Sequence, residues 1–289
     1  MKILNSTAPY NLFGLEVQDY STAKIAVLPV PYDSTSTYKA GSREGSRAII
    51  DASRRLELYS EELGTDASKI GIFTLEELEP DFSGPENMVN RIAREVSHIL
   101  EDSKVPLLLG GEHTIAIGAV KAIAQKRKDC SVLHFDAHAD SYDELHSTKY
   151  CHACVMARIR EMCGSCYSVG VRSIDEASAK NVKGILYRKD MHEMSAKKII
   201  DAIVKNTKKK LYITIDLDVL DPSEMPSTGT PEPDGLSFRE LADILKGVLA
   251  KKELIGIDFS ELNPIPGMVA PDFLAAKLIY LIIGCAFGK

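Results

Sequence analysis

The sequence predicts an α/β fold built on a mostly parallel sheet. Three observations carry that prediction. Continuous runs rich in Val, Ile and Leu recur along the 289 residues, as strands buried on both faces require. Helical patterns alternate with those runs. The composition, 45% hydrophobic and 26% charged, is that of an ordinary globular domain. No linker, low-complexity tract or repeat interrupts the alternation, so residues 1–289 read as a single domain.

The strand-like runs are residues 24–30, 70–73, 105–109, 131–135, 166–171, 185–187, 211–215 and 254–257. Between them, residues 86–100 place Met88, Ile92, Val96 and Ile99 at helical spacing, and 195–204 carries Ile199, Ile200 and Ile203. Residues 153–162 put Val155, Met156 and Ile159 on one helical face. A helix over 238–249 follows Ser237, whose side chain suits an N-cap, and Glu240 completes a capping box. The most hydrophobic stretch, 273–287, contains Lys277 and is shorter than the roughly 20 residues of a membrane span. It reads as a last helix packed on the sheet.

Bulk properties narrow the function. The net charge of −6 and the lack of a basic stripe argue against nucleic acid. The densest basic run, Lys208-Lys209-Lys210, directly precedes a strand and reads as a solvated helix end. Residues 1–17 hold no apolar core of signal-peptide length, so a cytoplasmic protein without a membrane partner is expected. Four of six cysteines are spaced as Cys151-x2-Cys154 and Cys163-x2-Cys166, which suggests a zinc knuckle. The intervening helix of about nine residues would hold the pairs about 13 Å apart, so reduced thiols are the better reading.

The chemistry gathers in three short clusters, each closing a strand-like run. One is Gly110-Gly111-Glu112-His113, where the glycine pair is expected to let the backbone turn off its strand. The second is Asp136, His138 and Asp140, which at i, i+2 and i+4 of an extended segment would face one way. The third is Asp216 and Asp218. Open α/β sheets bind ligands at the carboxyl ends of their strands. Four aspartates and two imidazoles buried there need compensating cations. This oxygen-rich set without thiolate suits Mn, Mg or Fe better than structural zinc. Six ligands on one metal leave no open position, whereas two metals about 3.5–4 Å apart would lower the pKa of a shared water and deliver hydroxide near neutral pH. His134, inside the strand, reads as a core residue supporting Asp136. His98 and His192 receive no role. The Pro-rich segments 221–235 and 263–271 follow two acidic strand ends, and loops this long are commonly functional.

Together these residues resemble the arginase/agmatinase ureohydrolase family. Gly110–His113, Phe135–Asp140 and Asp216–Pro222 match its three signatures in order. Further matches are Tyr150-Cys151-His152, Ser227–Pro233, Asp258–Pro264, Pro29–Asp33 and Gly45–Arg47, so the resemblance spans nearly the whole chain. It implies a three-layer α/β/α fold with an eight-stranded parallel sheet, two Mn2+ ions per chain, a homo-oligomer (trimer or hexamer), and hydrolysis of a guanidino compound to urea and an amine. It implies that His113 and Asp140 bind one metal, His138 and Asp218 the other, and that Asp136 and Asp216 bridge them. Glu261 is similar to the family's guanidinium anchor, whose carboxylate matches a fork of N–H donors. His152 is similar to its proton shuttle, a job an imidazole suits. Asp140 would take the nucleophile's proton.

For the substrate, Tyr142 stands where arginases carry Asn, and Thr230-Pro231-Glu232-Pro233 looks like agmatinases. Agmatine, giving putrescine and urea, is therefore the favoured substrate, with Asp143 and Glu144 as candidates for holding its distal amine. The alternatives are aminopropylagmatine, guanidinobutyrate or arginine on the same fold. A binuclear phosphoesterase lacks its Gly-Asn-His cluster here, and a non-catalytic metal-binding scaffold would be missing a ligand or shuttle, and none is missing.

Overall fold

The computed structural model describes residues 7–288; most of the 1–17 segment read for a leader lies within it, but residues 1–6 lie outside the described residues. The strands and helices run β1 (Ile25–Val30), α1 (Gly45–Ser53), β2 (Ile72–Thr74), α2 (Pro85–Glu101), β3 (Val105–Gly110), α3 (Ile115–Lys126), β4 (Cys130–Phe135), α4 (Val155–Met162), β5 (Cys166–Val171), α5 (Glu176–Asn181), β6 (Ile185–Tyr187), α6 (Arg188–Met191), α7 (Ala196–Asn206), β7 (Lys210–Asp216), α8 (Phe238–Leu249), β8 (Glu253–Ser260) and α9 (Ala270–Phe287). All eight strands pair in parallel, in the order β2-β1-β3-β8-β7-β4-β5-β6.

The sheet separates two apolar cores, giving three α/β/α layers. One core joins Ile49, Ile203, Leu245 and Ile279 from α1, α7, α8 and α9 to one sheet face. The other joins Ile92, Val120 and Ile159 from α2, α3 and α4 to the opposite face. Burial on both faces explains the continuous apolar strands. The helix α3 had no visible amphipathic pattern because eight of its residues, Ile115–Val120 with Ala122 and Ile123, are buried. It packs so closely on α2 that a Cβ on Gly118 would lie 2.7 Å from the Cβ of Ile92.

The capping box is present: Ser237 Oγ accepts from Glu240 N–H at 3.1 Å, and Glu240 accepts from Ser237 N–H at 2.8 Å. The basic run is not a helix end. It lies between α7 and the first residue of β7, where Lys208 and Lys209 donate to the carbonyls of Lys128 and Lys251. The helix α9 is 18 residues long with mean hydropathy 1.6, and it is a core helix. Its Leu278, Ile279 and Tyr280 are fully buried, and the Tyr280 hydroxyl accepts from Ala67 N–H.

In chain order β3 and β4 are neighbours, yet β8 and β7 lie between them in the sheet. The four central strands are therefore β3, β8, β7 and β4. Their carboxyl ends lead into His113, Glu261, Asp216 and Asp136, so the topology alone gathers residues almost 150 positions apart.

Candidate active site and metal centre

The two glycines at the end of β3 are not there to turn the chain, since neither has a positive φ. They allow close approach. A Cβ on Gly111 would lie 2.0 Å from the Tyr32 carbonyl oxygen, and one on Gly110 would lie 2.1 Å from the Cδ1 of Ile115. The tight crossing lets Glu112 N–H donate to Tyr32 O at 2.7 Å and sets the fully buried His113 ring into the cluster.

The middle cluster also differs from its extended reading. The strand β4 stops at Phe135, and Asp140 adopts a left-handed φ of 44°. Asp136, His138 and Asp140 consequently do not face one way. His113 Nδ1 stands 3.1 Å from Asp140, 3.2 Å from Asp136 and 3.5 Å from Asp216. His138 Nδ1 instead stands 2.8 Å from Asp218 and 3.5 Å from Asp136. Two donor groups result, with Asp136 in both. Asp216 ends β7 and Asp218 sits in the 3-10 turn Leu217–Val219, tied back by its N–H to Asp216 Oδ1 at 2.9 Å. The outer Oδ1 of Asp218 accepts from Ala137 N–H at 3.0 Å, which locks the second and third clusters together.

Burial and crowding set the electrostatics. Burial, and then the charges of Asp218 and Asp136, push the Asp216 carboxyl well above its ordinary range. Burial and Asp136 likewise raise Asp218. Burial opposes the charged His113 ring, but Asp136 and Asp140 outweigh it and raise that group. Burial and then Glu112 push Glu261 up to about 8. Burial opposes the charge of Asp136 too, but the His134, His113 and His138 imidazoles outweigh it and hold that carboxyl well below its ordinary range.

A cavity of about 470 Å3 opens from this cluster, walled by His138, Asp140, His152, Asp216, Asp218 and Glu261. Glu261, just past β8, has a left-handed φ of 65°. Its Oε1 accepts from His113 N–H at 2.7 Å. His152 lies outside the cluster, before α4. Its Nδ1 is 3.2 Å from Thr35 Oγ1, and its Nε2 is 3.3 Å from Thr37 Oγ1. Tyr142 lines the same cavity and is 45% exposed.

Residues 23–284 match the Arginase family. The chain belongs to the arginase family. An N(1)-aminopropylagmatine ureohydrolase of Thermus thermophilus is 37% identical over 277 residues, covering 94% of each chain. An agmatinase of Bacillus cereus is 31% identical over 252 residues, covering 85% of this chain and 86% of that one. Among solved structures, an agmatine ureohydrolase of Thermoplasma volcanium matches with a TM-score of 0.86 at 30% identity, over 93% of this chain and 92% of that one. The protein is accordingly a hydrolase of the ureohydrolase kind.

The donor set fits divalent cations. The two groups are His113, His134, Asp136 and Asp140, and Asp136, His138 and Asp218; Asp216 stands 3.5 Å from His113, and among the described residues no Lys or Arg pairs with any of these carboxylates. A buried set of this charge is tolerable only with cations among it.

Two residues that brace the site were not legible as such. Glu112 turns away from the donor groups and accepts from Thr35 N–H and both the Thr35 and Thr114 hydroxyls at 2.7 Å, so it seats the loop that holds His152. Arg172 donates to the carbonyls of Asp218, Glu232 and Pro233 at 2.7–2.9 Å, fastening the 217–233 loop. Thr114 apart, nothing marks these contacts in the sequence, because the other partners lie 46 to 77 positions away. His134, read as support for Asp136, does bond it, Nε2 to Oδ2 at 2.8 Å. Asp143 and Glu144 do not line the cavity; Asp143 points to Arg158 at 2.5 Å and Lys149 at 3.3 Å. Asp175, which also caps α5, lines it instead. The two Cys-x2-Cys pairs stand at opposite ends of α4, all six cysteines are free, and no Cys-containing donor group occurs among the described residues.

Proposed function

We propose that this enzyme hydrolyses N1-aminopropylagmatine to urea and the corresponding triamine, holding two Mn2+ ions per chain. The observation that carries the hydrolytic reading is the pair of donor groups sharing Asp136 at the floor of an acidic cavity. In this reading His113 and Asp140 hold one cation, His138 and Asp218 the other, and Asp136 and Asp216 both. When bound, the cations would supply Lewis-acid activation of a water.

The chain's own residues account for the rest. A guanidinium is a flat fork of N–H donors and binds best to a carboxylate. Glu261 suits it: His113 N–H fixes one oxygen, leaving the second for the cavity near Gly229. Asp140, half-buried on the cavity wall, accepts the proton of the attacking water. The leaving nitrogen must gain a proton, and in this reading His152, on the cavity wall and tethered by Thr35 and Thr37, gives it.

The relatives' names favour the longer substrate: the aminopropylagmatine enzyme is 37% identical, against 31% for the agmatinase. The outer cavity supports a cationic tail, with Asp175, Tyr142 and Tyr38 along its wall. Agmatine, favoured by Thr230–Pro233 in sequence, is the second reading. The test is urea release, measured side by side with Mn2+ from N1-aminopropylagmatine, agmatine, guanidinobutyrate and arginine. Agmatine turned over faster than the aminopropyl compound would reverse the order, and no urea from any of them would sink the reading.

The same reading makes the protein a cytoplasmic homo-oligomer. Met268, Val269 and Phe273, exposed around the start of α9, are apolar surface that a second copy would cover. A monomer in light scattering at micromolar concentration would argue against it.

A further inference from the structure

The first Cys-x2-Cys pair is left unused by the hydrolytic chemistry, and it encloses His152. Cys151 has an extended backbone and leads into the 3-10 turn His152–Cys154, which continues directly into α4. That turn brings Cys154 back over Cys151, and the two Sγ atoms stand 3.1 Å apart. A disulfide is roughly 2.05 Å long, so closure asks for about 1 Å of movement.

The two thiols are not equivalent. The Cys154 thiol, and behind it the N–H groups of Ala153 and Cys154, hold Cys151 below its ordinary range against the effect of burial. Cys154 is raised. An attacking thiolate beside a protonated partner is the arrangement of a reactive dithiol. Cys151 is also reachable despite its burial. It forms part of the wall of a second cavity of about 470 Å3, with Ser34, Thr35, Pro85 and Thr148. The outer side of that cavity is the short Leu145–Thr148 hairpin, where His146 and Ser147 both take left-handed backbone.

We propose that Cys151 and Cys154 form a reversible dithiol–disulfide pair whose oxidation unseats His152 from Thr35 and Thr37. The proposal rests on the reading of His152 as proton donor. With a peroxide as oxidant, the Cys151 thiol gives up its proton, the thiolate attacks one peroxide oxygen and breaks the O–O bond, and the departing hydroxide takes that proton to leave as water. The Cys154 sulfur then displaces the sulfenic oxygen of Cys151, which leaves as a second water. The peroxide gains the two electrons that the thiols lose. His152 lies between the two sulfurs in the chain, and its own N–H donates to Thr35 Oγ1 at 3.2 Å. Closing the bond fixes both cysteine side chains, and whatever part of the roughly 1 Å their rotation does not supply falls on the turn that carries its ring.

The experiment compares the reduced, Mn2+-loaded enzyme with the same enzyme after hydrogen peroxide. Expected are the loss of two titratable thiols, a Cys151–Cys154 cross-linked peptide in the mass spectrum, a shifted NMR signal for the His152 ring recorded with diamagnetic Mg2+ in place of Mn2+, and about 10²-fold less urea release, restored by dithiothreitol. Cys151→Ser and Cys154→Ser should keep their activity in peroxide, and Cys163→Ser, at the far end of α4, should respond as the wild type does. A missing cross-link, an unmoved His152 signal, or equal inactivation of Cys154→Ser would each overturn the proposal. If the reduced enzyme released no urea from any guanidino compound, the function would be wrong, while the cross-link and the His152 signal would still decide the switch.

Discussion

His113 Nε2 and the Thr214 hydroxyl stand 2.8 Å apart inside the sheet. The Thr214 hydroxyl donates its own hydrogen to Asp258 at 2.8 Å, and Tyr212 donates to the other oxygen of Asp258 at 2.6 Å. Thr214 therefore has only a lone pair to offer, and His113 must carry a hydrogen on Nε2. In the neutral ring, Nδ1 is left as a lone pair aimed at Asp136, Asp140 and Asp216. Thr214 thus selects the tautomer that can ligate a cation.

Replacing Thr214 with Val keeps the shape and removes the acceptor. Mn2+ affinity should fall about 10- to 100-fold with little change in fold. Calorimetric titration of the metal-free protein measures this, and wild-type affinity would show that the ring is oriented by something else.

Asp136→Ala and Asp216→Ala should each lose metal and activity together, because each carboxylate is shared between the two cations in the proposed assignment. Elemental analysis after gel filtration gives the answer. Two full equivalents retained in either variant would refute the shared role of that aspartate.

His152 and Glu261 should separate in kinetics. His152→Ala should keep both cations and lose turnover by about 10²–10⁴-fold, the usual worth of a positioned proton donor. Glu261→Gln should act chiefly on KM, since a charge-assisted hydrogen bond contributes about 1.5–3 kcal/mol. Near-normal turnover in His152→Ala would make that residue a bystander.

Asp272, in the first turn of α9, should make stability depend on pH. Burial pushes its carboxyl up to about 6, and its buried Oδ1 has no hydrogen-bond partner. Its folded value lies above its unfolded one, so the folded state holds the proton longer. Stability should therefore fall as pH rises from about 4, the ordinary range of an aspartate, to about 6, and stay lower above that. The helix N-terminus offsets part of the loss. Asp272→Asn should raise Tm at pH 7.5 and have little effect at pH 4. Thermal melts at both pH values test it, and equal shifts would remove the carboxylate as the cause.

Much of the fold was legible because parallel strands are buried on both faces and advertise themselves as unbroken apolar runs, as 105–109 and 211–215 do. The amphipathic helices α2 and α8 were legible for the complementary reason, and Ser237 and Glu240 act within three residues of each other. The helix α3 was not, because it is buried almost all round and carries no polar face to set a period.

The sequence by itself determined the residue types of the site and their place at strand ends: His113, Asp136, His138, Asp140, Asp216 and Asp218 are all drawn together. Only the tertiary structure decided how they divide. The left-handed turn at Asp140 sends it to His113 and leaves His138 with Asp218, undoing the shared face that an extended segment would give. The sheet order alone sets β8 and β7 between β3 and β4, bringing Glu261 to His113 and Thr214 beneath its ring. Local spacing fixes which way neighbouring side chains point. Which distant side chains meet is fixed by strand pairing, which no short stretch of sequence encodes.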